Sequence, residues 1–253
     1  MRRYKDIILY RAYAGIKSEG RQNYLGYLWY LLEPALSTVV LYVAFTQVTG
    51  KGGAEWAYFI ILGLMAWQWF ESSVMIGSAA IKAKFGVLNQ YDLPKYIFPV
   101  VSILVNSWKC LCVFVVVLLA GMALGFGPNP NFAYLPLVYL LQLMLITGIT
   151  LPLSIGATLS NDLMTVVASV FRLLFFLSGI FYHIDAVPEN LRGVFFMNPM
   201  AVFIDSYREV IIHNRAPDTR LLLQAGATGA AFFAIGALVH LRYDKKLMKL
   251  INA

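Results

Sequence analysis

Charge is scarce in this sequence. Asp, Glu, Lys and Arg make up 13% of 253 residues while 60% are hydrophobic, against about a quarter charged in ordinary soluble domains. That shortage leaves no stretch from which a separate soluble domain could be built. Cysteine is nearly absent, and the two present, Cys110 and Cys112, lie two apart in an apolar run. A helix points them to different faces, which excludes both a mutual disulfide and a zinc site. A phosphate loop is missing as well. It needs Gly-x-x-x-x-Gly-Lys-Ser/Thr, so that backbone amides and the lysine hold phosphates. The nearest approach, Gly15 to Gly20, runs on into Arg21-Gln22 and has neither the lysine nor the hydroxyl. The chain cannot be its own nucleotide-driven motor.

What the sequence has in abundance is long apolar runs. Six cover roughly residues 32–49, 58–78, 97–124, 134–157, 163–183 and 220–240, and about 20 apolar residues in a helix cross a hydrocarbon core of about 30 Å. The expected fold class is an all-α polytopic membrane protein with six transmembrane helices, residues 1–253 forming one transmembrane domain. Most of the 20 lysines and arginines collect at alternate gaps. Arg2, Arg3, Lys5, Arg11, Lys17 and Arg21 precede the first run. Lys82, Lys84 and Lys95 lie between the second and third, and Arg242, Lys245, Lys246 and Lys249 follow the sixth. By the positive-inside rule both termini are expected in the cytoplasm. The net charge of +7 then describes a surface attracted to anionic lipid rather than a nucleic-acid groove. The amino terminus does not read as a cleavable signal, because Arg11 interrupts the run of Ile7, Ile8 and Leu9 before the needed length.

Three segments stand outside the spans. Within residues 1–22, expected as an interface helix, residues 4–17 have helical spacing, with Ile8, Leu9, Ala12 and Ile16 on one stripe and cations away from it. Such a helix lies in the interface, either as an anchor or as a contact for a cytoplasmic partner. Tyr24, Tyr27, Trp29 and Tyr30 follow, where an aromatic belt belongs, and Pro34 is expected to open the first span. Residues 82–95 form a short cytoplasmic connection with helix stops at Gly86 and Pro94 and apolar knobs at Phe85, Val87, Leu88 and Leu93. Apolar anchors on a stiff segment suit a groove on a soluble partner. Residues 184–215 on the outer side are punctuated by Pro188, Gly193 and Asn198-Pro199 yet stay greasy. Short helices dipping back into the outer leaflet fit that mixture, since non-helical backbone at membrane depth must be covered by protein or water.

Lys109 and Arg172 fall within spans, where each costs roughly 2.5–3.5 kcal/mol on an insertion scale, so both are expected to face protein or water. Glu71 is the candidate ionic partner for either. Arg172 could instead meet an anionic group of a passing molecule. Aromatic residues Tyr42, Phe45, Trp67, Phe70, Phe171, Phe175, Phe181 and Tyr182 offer flat apolar faces with an occasional polar tip, suited to a sliding cargo; helix packing and lipid contact are the alternative. An embedded acyl or glycosyl transferase would need convergent His, Asp or Glu groups. His183 and Asp185 lie two apart and His213 farther on, with no third metal ligand at helical spacing. An ion-coupled transporter would show inverted repeats, and the two halves show no matching signal.

Three stretches resemble the membrane subunit of type-2 ABC exporters, of the branch that moves lipid-linked polysaccharides such as O antigen, teichoic acid or capsule. They are Tyr24-Leu25-Gly26-Tyr27-Leu28-Trp29 with Glu33-Pro34; Gly63-Leu64-Met65-Ala66-Trp67 leading to Leu93-Pro94; and Ser178-Gly179-Ile180-Phe181-Tyr182 leading to Asn198-Pro199 and Arg208. One departure is Leu93, where phenylalanine is expected before the proline. The resemblance implies a homodimer in the bacterial inner membrane, driven by two copies of a separate cytoplasmic ABC ATPase. It implies no cofactor on this chain, with ATP and Mg on the partner. It makes 82–95 the coupling helix, in which Lys84, Phe85, Val87, Leu88, Tyr91, Asp92, Leu93 and Pro94 would meet the ATPase. It makes the aromatic set the channel lining, at a dimer interface surrounded by the first, second and fifth spans. The cargo implied is lipid-linked polysaccharide, O antigen first, whose sugar chain would slide over the aromatic set and whose carrier diphosphate Arg172 would meet; a drug or small lipid is the alternative.

Overall fold

Apolar runs without strand-like alternation fold here as helices. The computed structural model describes residues 2–22, 28–49, 52–86, 93–160, 162–184 and 187–251, and no strand occurs among them. The helices are α1 (Arg2–Gln22), α2 (Leu28–Thr49), α3 (Ala54–Ala83), α4 (Ile97–Ala123), α5 (Leu135–Leu159), α6 (Asp162–Leu177), α7 (Glu189–Phe195), α8 (Pro199–Ile211) and α9 (Thr219–Ile251), with a 3-10 turn at Pro130–Tyr134 before α5. Among the described residues, four helical stretches are long and apolar enough to cross a membrane: Ala54–Ala83, Ile97–Ala123, Pro130–Leu159 and Thr219–Tyr243. In α2 the described apolar part is Ala35–Ala44, and the helix begins at Leu28, well before Pro34, rather than opening there.

The fifth apolar run is not one continuous helix. α6 stops at Leu177 after 16 residues, about 24 Å at 1.5 Å per residue. The chain then turns through Gly179 at φ +70°, a conformation favoured by glycine. Around it, Ser178, Gly179, Ile180 and Phe181 are buried rather than facing lipid.

α3 is the axis of the bundle and packs against α2, α4, α5 and α8. In lipid the apolar effect between helices is weak, so close packing and internal hydrogen bonds hold the bundle. The tightest seam joins α5 to α9 and is built on glycine. A Cβ on Gly148 would stand 2.5 Å from the Phe233 backbone nitrogen, and one on Gly236 would stand 3.0 Å from the Gly148 carbonyl oxygen. Between α3 and α4, the Tyr58 ring lies against Gly121 and its hydroxyl donates to the Val117 carbonyl at 3.1 Å. Deeper in that seam, Asn106 donates to Ser72 Oγ at 2.7 Å and Ser73 Oγ at 2.8 Å, and Trp69 Nε1 donates to Ser107 Oγ at 3.2 Å.

α1 packs on α4, and its expected stripe is split. Ala12 is buried and Ile8 and Ile16 half-buried, while Leu9 is 65% exposed beside Tyr10 and Tyr13. A Cβ on Gly15 would meet Val105 at 3.0 Å, and the Arg11 guanidinium lies 5.6 Å from the Phe98 ring centroid. The apolar stripe thus meets protein, and the tyrosine face is outward.

Candidate functional site

Helix α8 is held by its own Asn-Pro start. The Asn198 side chain accepts from the Met200 backbone amide at 3.0 Å, capping the helix, and Pro199 suits the first turn because it lacks an N–H to satisfy. Asn198 Nδ2 also donates to Ser178 Oγ at 2.8 Å, tying α8 to the end of α6. Further along, Tyr207 donates to Gln142 Oε1 at 3.0 Å, and Gln142 Nε2 donates to the Ala66 carbonyl at 2.8 Å. One buried amide therefore links α8, α5 and α3.

Arg208 is the centre of this clamp. It is 4% exposed. Nε and Nη2 donate to the Phe59 carbonyl at 3.2 and 3.1 Å, Nη1 donates to the Gly179 carbonyl at 2.7 Å, and Nη2 donates to the Ile180 carbonyl at 2.8 Å. Its carbon lies 3.4 Å from the Phe59 ring centroid. The planar fork of arginine satisfies several acceptors at once; here two of them, the Gly179 and Ile180 carbonyls, lie in the turn after α6 and the third, that of Phe59, lies in α3. The turn at Gly179 and the burial of Arg208 explain each other.

The expected aromatic set divides. Trp67, Phe70, Phe171, Phe175 and Phe181 come together on α3, α6 and the following turn. Trp67 lies 6.2 Å from Phe171 and 5.7 Å from Phe175, Phe70 lies 5.1 Å from Phe171, and Phe175 lies 5.2 Å from Phe181. Trp67, Phe70, Phe171 and Phe181 are buried within the chain, and Phe175 is half-buried. Tyr182 is turned toward Phe195, 5.9 Å away. Tyr42 accepts from the Gly53 backbone amide at 2.9 Å. The side chain of Phe45 lies outside the described residues.

The cations also separate. Arg172 is exposed on α6, on a stripe with Asp162, Thr165 and Ser169, which are exposed too; offsets of three and four residues put them on one face. Lys109 is buried on α4. Glu71, expected as an ionic partner, accepts instead from Trp67 Nε1 at 2.8 Å. In the connection after α3, Lys84 and Gly86 are exposed and Phe85 half-buried. Leu93 and Pro94 are half-buried, with Leu93 packed against a small cluster of Ala80, Ile81, Phe98 and Ile155. Val87, Leu88, Tyr91 and Asp92 lie outside the described residues, as does Asp185.

Sequence reading singled out Arg208 only as part of a motif and missed Gln142 and Tyr207 as a pair. The signal available was a glutamine inside a 25-residue apolar helix, where a polar side chain needs a partner.

Gly63, the Ser178–Tyr182 stretch, Asn198-Pro199 and Arg208 lie far apart in sequence, yet they converge here. Arg208 lies against Gly63 and binds Gly179 and Ile180, while Asn198 binds Ser178. Residues 14–212 match the family described as ABC-2 type transporter. This chain belongs to that family.

The chain is similar to the O-antigen export system permease protein RfbA of Myxococcus xanthus, 28% identical over 88% of this chain and 87% of the relative. A Klebsiella pneumoniae protein of the same name is 24% identical over 82% and 81%. The polysialic acid transport protein KpsM of Escherichia coli is 23% identical over 74% of each chain. These relatives are named for polysaccharide export, and the family together with the four long apolar helices makes this chain a multi-pass membrane protein.

Proposed function

We propose that this chain is the membrane subunit of an ATP-driven exporter. It carries lipid-linked polysaccharide, O antigen first, from the cytoplasmic to the outer side of the bacterial inner membrane. The observation that carries this reading is the likeness to an O-antigen export permease along 88% of the chain. In this reading the chain crosses the membrane six times with both termini in the cytoplasm, as the distribution of lysine and arginine supports. α2 and α6 with the turn after it provide the two crossings beyond the four long ones. Two copies pair, and a separate ABC ATPase with its own ATP and Mg engages residues 82–95 through Lys84, Phe85, Val87, Leu88, Tyr91, Asp92, Leu93 and Pro94. The missing phosphate loop supports the need for that partner.

The passage lies between the two copies. The exposed stripe of Asp162, Thr165, Ser169 and Arg172 supports placing α6 on it, because a polar and charged face is costly against lipid. Arg172 there meets the carrier diphosphate by charge-assisted hydrogen bonds. Tyr42, Phe45, Phe175 and Tyr182 give the sliding surface, backed by Trp67, Phe70, Phe171 and Phe181.

Two measurements test the reading. The tagged chain, purified from its native membrane in mild detergent, should bring down a P-loop ATPase at about equal stoichiometry. Deleting that ATPase should leave lipid-linked glycan inside the cell. A chain isolated alone and active, with normal surface glycan after the deletion, would turn the assignment to an embedded transferase or an ion-coupled carrier.

A further inference from the structure

At the outer end of the bundle a cavity of about 930 Å³ opens beside α8, and a smaller one of about 310 Å³ lies next to it. Phe59, His183 and His213 line both, so these three side chains form the partition. The His183 ring lies 4.2 Å from Phe59 and 6.1 Å from His213. Carboxylates surround this wall: Asp205, Glu209 and Asp218 in the larger space and Glu55 in the smaller.

The charge of the lining decides what it can hold. Arg208 reaches the larger cavity, but its hydrogen bonds go to the Phe59, Gly179 and Ile180 carbonyls. Asp218 caps α9, accepting from the Arg220 and Leu221 amides. Arg215 is the other lining guanidinium, and it sits exposed at the rim. In the larger cavity three carboxylates stand against the two guanidinia, with Glu55 behind the partition, so the lining is net negative and an anionic group entering here meets repulsion. A polyol meets the opposite: carboxylates that accept from its hydroxyls, imidazoles that donate or accept, and apolar wall from Phe196 and Leu221 for its C–H faces. A concave site of this size with a few polar groups on an apolar wall is of ligand-binding dimensions.

We infer that this outer cavity is an exit-side subsite for a sugar unit without acidic substituents, neutral or amino-bearing, held through Glu209 and the His183/His213 wall. The inference rests on the polysaccharide-export reading and adds where, and which kind of, sugar is held after passage. The subsite lies beside the Arg208 clamp, so the emerging glycan touches the helix that closes the outer end of the bundle.

The test uses the full chain with its ATPase in glycan-producing cells. A photo-reactive benzoyl-phenylalanine replaces Leu221 at the cavity or, separately, Phe175 in the ring cluster. After irradiation the chain is purified, and attached glycan is detected by periodate oxidation and hydrazide labelling. Membrane content of each variant and its ATPase copurification verify assembly. The expected result is glycan attached at both positions, with Glu209→Gln lowering the Leu221 adduct about tenfold, the loss for a hydrogen bond to a charged group, and leaving the Phe175 adduct unchanged. Mass spectrometry of the tryptic peptide should show a neutral or amino sugar at Leu221. Glycan at Phe175 with none at Leu221, a Leu221 adduct indifferent to Glu209→Gln, or an acidic sugar on that peptide overturns the subsite while export stands. No adduct at either position, with surface glycan unchanged when the chain is deleted, overturns both.

Discussion

Arg208 and Gly63 occupy one volume: a Cβ at Gly63 would stand 2.6 Å from Arg208 Nη2. The neighbouring atom belongs to a side chain, but that side chain is pinned by carbonyls on two segments. Gly63→Ala should therefore push the guanidinium off its acceptors and lower the thermal midpoint of the detergent-purified protein. The cost is about 2–4 kcal/mol, the scale of a broken buried charge network. Arg208→Lys should cost about as much, because an ammonium cannot span the three carbonyls. Unchanged midpoints for both variants would mean the clamp carries little stability.

The Tyr207–Gln142–Ala66 chain invites a double-mutant cycle. Gln142→Leu leaves the buried Tyr207 hydroxyl without its acceptor and should cost about 1–3 kcal/mol. Tyr207→Phe added to it should cost little more, since both polar ends are then gone. Strict additivity of the two single changes in thermal melts would show that the pair does not act as a unit.

Glycine positions separate by what a methyl would meet. Gly148→Ala drives a Cβ into α9 backbone at Phe233, whereas a Cβ at Gly86 meets nothing within 4 Å. The first should reduce the folded yield of the protein in membranes and the second should leave it unchanged. Equal yields would place the α5–α9 seam farther apart than described here.

Arg172 is exposed on α6, so Arg172→Ala should leave assembly and thermal stability as they are while reducing surface glycan severalfold. Normal surface glycan would remove its part in handling the diphosphate.

Replacing Tyr42 and Phe175 together with alanine should slow export without loss of the ATPase from the complex. Quantifying surface glycan after induction of its synthesis checks this, and a normal rate would count against a sliding surface of rings.

Much of the scaffold was legible in sequence, because in lipid the backbone must satisfy itself and an apolar run long enough to cross has only the helix available. The boundaries 97–124 and 134–157 lie close to α4 and α5 for that reason. The fifth run extends past the end of its helix because composition does not register a turn whose carbonyls are satisfied from a distance. Ser178 to Phe181 are as apolar as a span needs, and Arg208, which lets them leave the helix, is about thirty residues farther on. The aromatic set was visible as composition, but which rings are buried was not.

By itself the sequence determined the solvent, the helical class, the absence of a nucleotide loop and the order of motifs that marks the family. These are local or additive properties: hydropathy, charge placement and short spacings. Tertiary structure alone decided which cation is buried and which exposed, that Glu71 meets Trp67 rather than a cation, and that motifs from three regions close around one guanidinium. Those outcomes depend on which carbonyls and rings are brought within about 3–6 Å of a side chain by packing, and no local pattern encodes that distance.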